Sequence, residues 1–124
     1  LSRVYLALQL QVMGKDAPSL VFDEIDSGVG GVEASALGRK LRTLAEHGQI
    51  LTVTHLPQVA SQGDVHYSVV KEVRDGRTFV SVARLDPEER ISEISRMLGD
   101  ETPTEASRTH ALELLESGAA ATVR

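Results

Sequence analysis

An apolar run that ends in acids and then in glycines constrains the fold of this chain more than any other stretch. Residues 20–22 are apolar, Asp23 and Glu24 follow directly, a third acid stands at Asp26, and segment 28–31 is glycine-rich. This order predicts a buried strand that ends in a turn. Because neighbouring strand residues point to opposite faces, two adjacent acids are tolerated best at a strand end, where water or a cation reaches them.

The following residues predict a helix and a second strand parallel to the first. Residues 32–47 have an apolar stripe at helical spacing, closed by Gly48, and residues 49–54 form an apolar run rich in β-branched side chains. Strand, helix and strand in this order predict a right-handed βαβ unit whose strands are buried on both faces. Ligands of such sheets bind at the carboxyl ends of the strands, and both Asp23-Glu24 and Thr54-His55 stand there.

The rest of the chain predicts more helices and one β-hairpin. Two alternating runs, 65–73 and 78–85, flank Asp75-Gly76, a residue pair typical of a tight hairpin turn. Asp86 followed by Pro87 is a helix-start signal. The predicted helices are 3–13, 57–62, 87–98 and a last one that starts at Thr102 or Thr104 and ends near Ser117, with 118–124 as a fraying tail.

Composition narrows the class of protein. A chain of 124 residues with 41% hydrophobic and 25% charged residues has the balance of one globular domain. The absence of cysteine excludes disulfides and thiolate metal sites. A net charge of -5 gives no global attraction for nucleic acid, so DNA contacts are expected to be local or made elsewhere. Neither a signal peptide nor an apolar run of about 20 residues is present, so we expect no membrane contact and a cytoplasmic location.

The two polar strand ends are the candidates for chemistry. One carboxylate that holds Mg²⁺ through water and a second that polarises an attacking water are what nucleotide hydrolysis requires, and Asp23 and Glu24 provide both. The alternative is a solvated acidic turn or a helix cap. His55 follows the second strand, where an imidazole can hydrogen-bond a terminal phosphate. A histidine at that place is also a common polar turn residue.

Other polar residues give weaker signals. The glycines of segment 28–31 are not a Walker A loop, because no Gly-Lys-Ser/Thr sequence follows them, and they predict conformational freedom and close approach of a partner chain. Three histidines without metal-site spacing are expected to be ordinary helix or surface residues: His47, His66 and His110. Three basic residues are expected on a solvated helix face, or as a small phosphate-binding patch: Arg39, Lys40 and Arg42.

These motifs together resemble a known class of ATPase. Residues 20–24 resemble the Walker B strand of ABC-type ATPases, residues 25–28 resemble their D-loop, and Thr54-His55 resembles their H-loop. More narrowly, four stretches resemble bacterial SMC-like ATPases of DNA double-strand-break repair: residues 1–3, 23–31, 54–60 and 90–99. The resemblance covers nearly the whole chain.

The resemblance implies the C-terminal lobe of an α/β P-loop NTPase head of the ABC/SMC type. Its parts would be a parallel βαβ core at about 1–64, an antiparallel hairpin edge at 65–85, and C-terminal helices at 86–124. Asp23 would act on Mg²⁺ through water, Glu24 would be the catalytic carboxylate, and His55 would contact the γ-phosphate of ATP.

The resemblance also implies partners. Asp26, Ser27 and Gly28 would form a D-loop that binds at the nucleotide and communicates across a head-to-head homodimer with two ATP molecules between the heads. The chain starts at Leu1 without an initiator Met, as a fragment would. Walker A, the Q-loop, the complete signature motif and the coiled coil would lie N-terminal to it, and DNA would bind through the complete protein. We therefore expect the chain alone neither to bind ATP tightly nor to hydrolyse it.

Two other hypotheses remain at the level of sequence. Glu24 and Asp26 after a strand could ligate metal for phosphodiester chemistry, as in Toprim-like nucleases, but that site needs another acid at a separate strand end. A non-catalytic assembly module could retain the fold and only dimerise or recruit a partner. Glu24 and His55 argue against this module, whereas the missing Walker A motif keeps it open.

Overall fold

The structure is a computed structural model that describes residues 19–23, 28–99 and 101–122. The predicted helix 3–13 lies outside these ranges. The elements, in chain order, are β1 (Leu20–Asp23), α1 (Gly31–Ala45), β2 (Ile50–Val53), α2 (Pro57–Ala60), β3 (Tyr67–Arg74), β4 (Arg77–Arg84), α3 (Pro87–Met97) and α4 (Glu105–Thr122).

The βαβ unit is confirmed. Strands β1 and β2 pair in parallel, with Leu20 opposite Ile50 and Asp23 opposite Val53, and α1 connects them. Helix α1 packs its apolar stripe on one face of this sheet. The buried core consists of Phe22, Leu37, Leu41, Leu44 and Val59, with Leu20, Ile50 and Leu56 packed against it. This packing fixes the two strand ends relative to each other.

The other face of the parallel sheet is exposed. Val21 is 67% exposed and Leu51 56%, and Val53 on the same face is also exposed. For the part of the chain that the structure describes, the prediction that both faces are buried is therefore wrong. The reason is that α1 covers only the face that carries Leu20, Phe22 and Ile50, while strand residues alternate between faces.

The predicted hairpin is confirmed at β3 and β4, which pair antiparallel from Tyr67–Arg84 to Arg74–Arg77. Asp75 and Gly76 form the turn with φ of 50° and 72°, as a type I′ turn requires. Among the described residues the hairpin is a two-stranded sheet of its own and does not extend the β1–β2 sheet. All but one of its sixteen strand residues are exposed.

The C-terminal helices begin as predicted but end differently. Asp86 caps α3 in a capping box with Glu89, and Gly99 follows it with φ of 111°. Helix α4 continues to Thr122, so the predicted fraying tail from Gly118 is wrong as far as the described residues go. Gly118 is buried where α4 passes the backbone of Ser61, and this packing keeps the segment helical. None of the helices in the described ranges is long and apolar enough to cross a membrane.

Candidate functional site

Asp23 and the Thr54-His55 pair lie at the same edge of the parallel sheet. Asp23 is the last residue of β1 and stands opposite Val53, the last residue of β2. Thr54 and His55 follow Val53 directly. Neighbouring strands of a sheet lie about 4.8 Å apart, so these residues stand close to the end of β1. The side chains of Asp23 and His55 are both exposed. The structure thus brings an acid and an imidazole to one open edge, as the sequence predicted.

The position of His55 is set by the residues on each side of it. The Oγ1 of Thr54 accepts a hydrogen bond from the N–H of Leu56 at 3.0 Å, which closes a turn around His55. Leu56 is the N-cap of α2, and its carbonyl accepts from Val59 at 3.1 Å and Ala60 at 3.0 Å. β2 therefore passes into α2 within three residues, and His55 lies in the middle of that connection.

Asp23 fits a metal that is held mainly by other ligands. Its exposed carboxylate lies on the same open face as Val21 and Val53, because strand residues alternate and Phe22 points into the core. Mg²⁺ in proteins commonly takes one or two carboxylates and completes its shell with water and substrate phosphates. Among the described residues, no group of three or more His, Cys, Asp or Glu side chains forms a dedicated metal cage. The donor set thus suits a Mg²⁺ ion that accompanies a nucleotide.

Three of the predicted site residues, Glu24, Asp26 and Ser27, lie outside the described ranges. Gly28 is described and has φ of 78°, in the left-handed region that favours glycine. Among the described residues, a Cβ at Gly28, Gly30 or Gly31 would meet nothing within 4 Å, so no described neighbour requires a glycine there. Helix α1 starts at Gly31, directly after Gly30 as its N-cap.

The basic residues of α1 are not all on a solvated face. The side chain of Arg42 is only 11% exposed, and its Nη1 donates to the carbonyl of Gln62 at 3.0 Å and to Oδ1 of Asp64 at 2.7 Å. The prediction of a solvated face is therefore wrong for Arg42. Its partners lie 20 and 22 residues away, so no local sequence pattern could have identified them.

A second unpredicted feature is the environment of His66. Burial lowers the pKa of this imidazole, the nearby Arg90 lowers it further, and Glu93 acts in the opposite direction. The Nδ1 of His66 is buried and accepts no hydrogen bond from the described part of the chain. His66 is thus a half-buried group and not the ordinary surface residue that the sequence predicted.

A Toprim-like metal site lacks one of its acids in the described residues. The neighbouring strand β2 ends in Val53, with Thr54 and His55 after it, and offers an imidazole where that site needs a carboxylate. Among the described residues, β2 therefore offers no second carboxylate at this edge.

Comparison with known proteins identifies relatives of this chain. No protein-family model matches it. It is 50% identical to the DNA repair protein RecN of Deinococcus radiodurans over 115 residues, which are 93% of this chain and 20% of that protein. It is 46% identical to RecN of Vibrio cholerae over 116 residues and 41% identical to RecN of Bacillus subtilis over 117 residues. These matches cover 93% and 94% of this chain and 21% and 20% of the relatives, so the chain spans about a fifth of their length.

A solved structure supports the same assignment at the level of fold. It was determined in work on the ATP-driven dimerization and DNA-stimulated activation of SMC ATPases. The TM-score is 0.53 at 18% identity, with 70% of this chain and 52% of the other chain covered. The chain thus shares its fold with an SMC ATPase, and the predicted fold class is confirmed.

Proposed function

This chain belongs to the RecN family of DNA repair proteins over the segment that it spans, and we propose that it is the C-terminal lobe of an SMC-like ATPase head. The complete protein hydrolyses ATP between two dimerised heads during recombinational repair of DNA double-strand breaks. One observation carries the proposal. Asp23 and Thr54-His55, the residues that resemble Walker B and the H-loop, lie at one open edge of a parallel sheet.

The site residues divide the work of phosphoryl transfer. Asp23 would hold Mg²⁺, through water, and the ion when bound would supply charge that balances the phosphate oxygens. Glu24 orients and activates the attacking water, as a carboxylate general base does. His55 donates a hydrogen bond to the γ-phosphate from the end of β2, where the turn around Thr54 and Leu56 keeps its backbone in place.

The remainder of the protein supplies what this lobe lacks. The open face of the parallel sheet exposes Val21, Leu51 and Val53 beside Asp23. One face of the hairpin, given by its register, also exposes apolar side chains between Lys71, Thr78 and Arg84: Tyr67, Val69, Val73, Val80 and Val82. Exposed apolar side chains grouped on one face of a sheet are typical of a protein interface. The N-terminal lobe of the same head, with its Walker A loop, covers these surfaces and brings ATP to Asp23. The chain alone therefore neither binds ATP tightly nor hydrolyses it.

The second head contacts the turn between β1 and α1. Asp26, Ser27 and Gly28 form the D-loop in this proposal, and they bind at the nucleotide and communicate across an ATP-dependent homodimer. Two observations support this role: Gly28 has a left-handed φ, and no described residue lies within 4 Å of a Cβ built at Gly30 or Gly31. DNA binds through other parts of the complete protein, because this lobe has a net charge of -5. The protein acts in the cytoplasm, on the nucleoid.

The three parts of the lobe have separate tasks. Residues of about 1–64 form the core with Walker B, the D-loop and the H-loop, residues 65–85 form the hairpin, and residues 86–124 form the C-terminal helices. The proposal assigns catalysis only to the first part.

A pair of histidine variants tests this function in the full-length protein. His55→Ala is expected to lower kcat for ATP by about 10²- to 10³-fold, as loss of a donor to transition-state charge does. His47→Ala is the matched control, because His47 is an exposed histidine that stands just before β2, at the opposite edge of the sheet. Steady-state phosphate release measures both. Absence of ATPase activity in the wild-type protein, or equal activity of the two variants, contradicts the proposed function.

A further inference from the structure

The turn that follows α2 is held by two arginines from distant helices. We define the α2 turn as residues 60–64. Arg90 of α3 donates from Nη2 to the carbonyls of Gly63 at 2.6 Å and Ala60 at 3.1 Å, with a longer contact to Ser61 at 3.4 Å. Arg42 of α1 donates to the carbonyl of Gln62 and to the carboxylate of Asp64. Four consecutive carbonyls thus accept from two guanidinium groups.

The charges suit this arrangement. The last carbonyls of a helix carry partial negative charge and have no partner within the helix, so cations stabilise that end. The pKa of Arg90 is lowered by burial and by the like charge of Arg42, and Asp64 opposes this by raising it. The Nε of Arg90 is buried and has no acceptor in the described part of the chain. The partly buried guanidinium of Arg90 is thus placed against the carbonyls of the α2 turn.

Two glycines bring neighbouring helices onto the same segment. A Cβ at Gly38 of α1 would lie 2.7 Å from the carbonyl oxygen of Gln58, which is closer than real Cβ contacts. A Cβ at Gly118 of α4 would overlap the carbonyl oxygen of Ser61. Helix α2 has only four residues and is too short to be stable by itself. Its position is therefore imposed by α1, α3 and α4.

The position of α2 in turn determines the position of His55. Helix α2 starts at Pro57, two residues after His55, and at about 1.5 Å per residue it is about 6 Å long. The hydrogen bond from Leu56 to Thr54 joins its N-cap directly to the end of β2. A shift of the α2 turn moves the whole short helix and, with it, the backbone on the carboxyl side of His55.

We propose that Arg90 is a positioning residue for His55: by binding the carbonyls of the α2 turn it fixes the short helix from which the imidazole is presented to the phosphate. The inference rests on the proposed function of His55 and adds a residue 35 positions away, whose hydrogen bonds go to the carbonyls of the α2 turn. Arg90 acts from α3 and links the C-terminal helices of the lobe to its catalytic edge. A displacement of about 1 Å at a reacting group is enough to lower a rate by about 100-fold.

The test measures ATP binding and kcat in the full-length protein with Arg90→Met. This variant keeps much of the length of the side chain and loses every donor. The expected result is a kcat lower by about 10- to 100-fold with an ATP Kd within about threefold of wild type, because alignment of His55 is lost while the nucleotide cradle is intact. Arg90→Lys keeps the charge and should recover part of the loss, since one ammonium group replaces a planar guanidinium with several donors.

Arg96→Met is the matched control. Arg96 lies on the same helix and pairs with Glu93 at 2.6 Å, and its side chain is largely exposed. The kcat of this variant should stay within about twofold of wild type, since exposed ion pairs contribute little. A loss in Arg96→Met equal to that in Arg90→Met would overturn the inference.

A double variant separates positioning of His55 from general support of the fold. In a His55→Ala background the imidazole is gone, so Arg90→Met should lower the residual kcat by less than about twofold. An equal loss in both backgrounds, or a wild-type kcat in Arg90→Met, overturns the inference. If Arg90→Met is not recovered folded, Arg90→Gln replaces it in the same cycle and is judged by the same outcomes. Absence of ATPase activity in the wild-type protein, by contrast, refutes the proposed function itself.

Discussion

Gly118→Ala distinguishes a packed end of α4 from a fraying one. In a frayed or solvated helix, exchange of glycine for alanine stabilises by up to about 1 kcal/mol, because alanine loses less backbone entropy. In the structure, the new Cβ overlaps the carbonyl oxygen of Ser61 and lies 3.2 Å from its carbonyl carbon and 3.3 Å from Cα of Gln62. These neighbours are backbone atoms and cannot rotate away, so α4 and the α2 turn must separate.

The magnitude follows from these two opposing effects. Overpacking of a well-packed contact costs about 1–3 kcal/mol and occasionally more, and for an overlap with main-chain atoms we expect a cost of about 2–4 kcal/mol. After subtraction of about 1 kcal/mol for helix propensity, the net destabilisation is about 1–3 kcal/mol. This change raises the equilibrium constant for local opening of α4 and the α2 turn by a factor of about 5 to 150.

Amide hydrogen exchange of the full-length protein measures this effect locally. Peptides from α4 and from the α2 turn should exchange about 5 to 150 times faster in Gly118→Ala than in wild type. Ser117→Ala is the matched control, since Ser117 is the exposed neighbour and should gain only about 0.5 kcal/mol of helix propensity, with slightly slower exchange. If Gly118→Ala exchanges as slowly as Ser117→Ala, α4 does not pack against Ser61 and this part of the account is wrong.

Two further predictions concern the core and the half-buried histidine. Leu44→Ala should destabilise the lobe by about 2–5 kcal/mol in thermal unfolding, because Leu44 is fully buried under the sheet. Val32 on the same helix is 87% exposed, so Val32→Ala should be nearly neutral in the same assay. Acidification from pH 7.5 to 5.5 should lower the free energy of unfolding, because the unfolded chain takes up a proton at the ordinary histidine pKa of 6.5 while the folded His66 resists it. Amide hydrogen exchange, corrected for intrinsic exchange rates, measures this change. The His66→Gln variant should lose less free energy of unfolding than wild type over this pH range. An identical loss in both proteins would contradict the lowered pKa of His66.

The local structure of the lobe could be predicted because its signals are local. Asp75-Gly76 determines the hairpin turn through its positive φ angles, and Asp86 with Pro87 and Glu89 determines the start of α3 through hydrogen bonds that span three residues. The same holds for the edge that carries Asp23 and His55. Strand ends in a βαβ unit meet on one side whatever the sequence between them, so the pattern was sufficient to bring these residues together.

What could not be predicted depends on contacts between distant segments. Gly118 ends an apparent helical pattern in the sequence, and only the proximity of Ser61 explains why the helix continues through it. Arg42 and Arg90 have the composition of surface residues, and their carbonyl acceptors lie about 20 to 30 positions away. The strands that carry the exposed Val21 and Leu51 were expected to be covered on both faces. An apolar run shows that a face is to be buried, but it does not show which polypeptide covers that face.

Turnover by Glu24→Gln in the full-length protein tests whether the acidic end of β1 is the hydrolytic centre. Glu24 is the proposed catalytic carboxylate, and an amide of the same shape cannot act as a base, so kcat should fall by about 10²- to 10⁴-fold. ATP should still bind with nearly unchanged Kd, and light scattering should show dimers trapped by ATP. Glu46→Gln, an exposed glutamate just after α1, should behave as wild type in all three measurements. Wild-type turnover by Glu24→Gln would contradict the account, since the acidic end of β1 would then not be the hydrolytic centre.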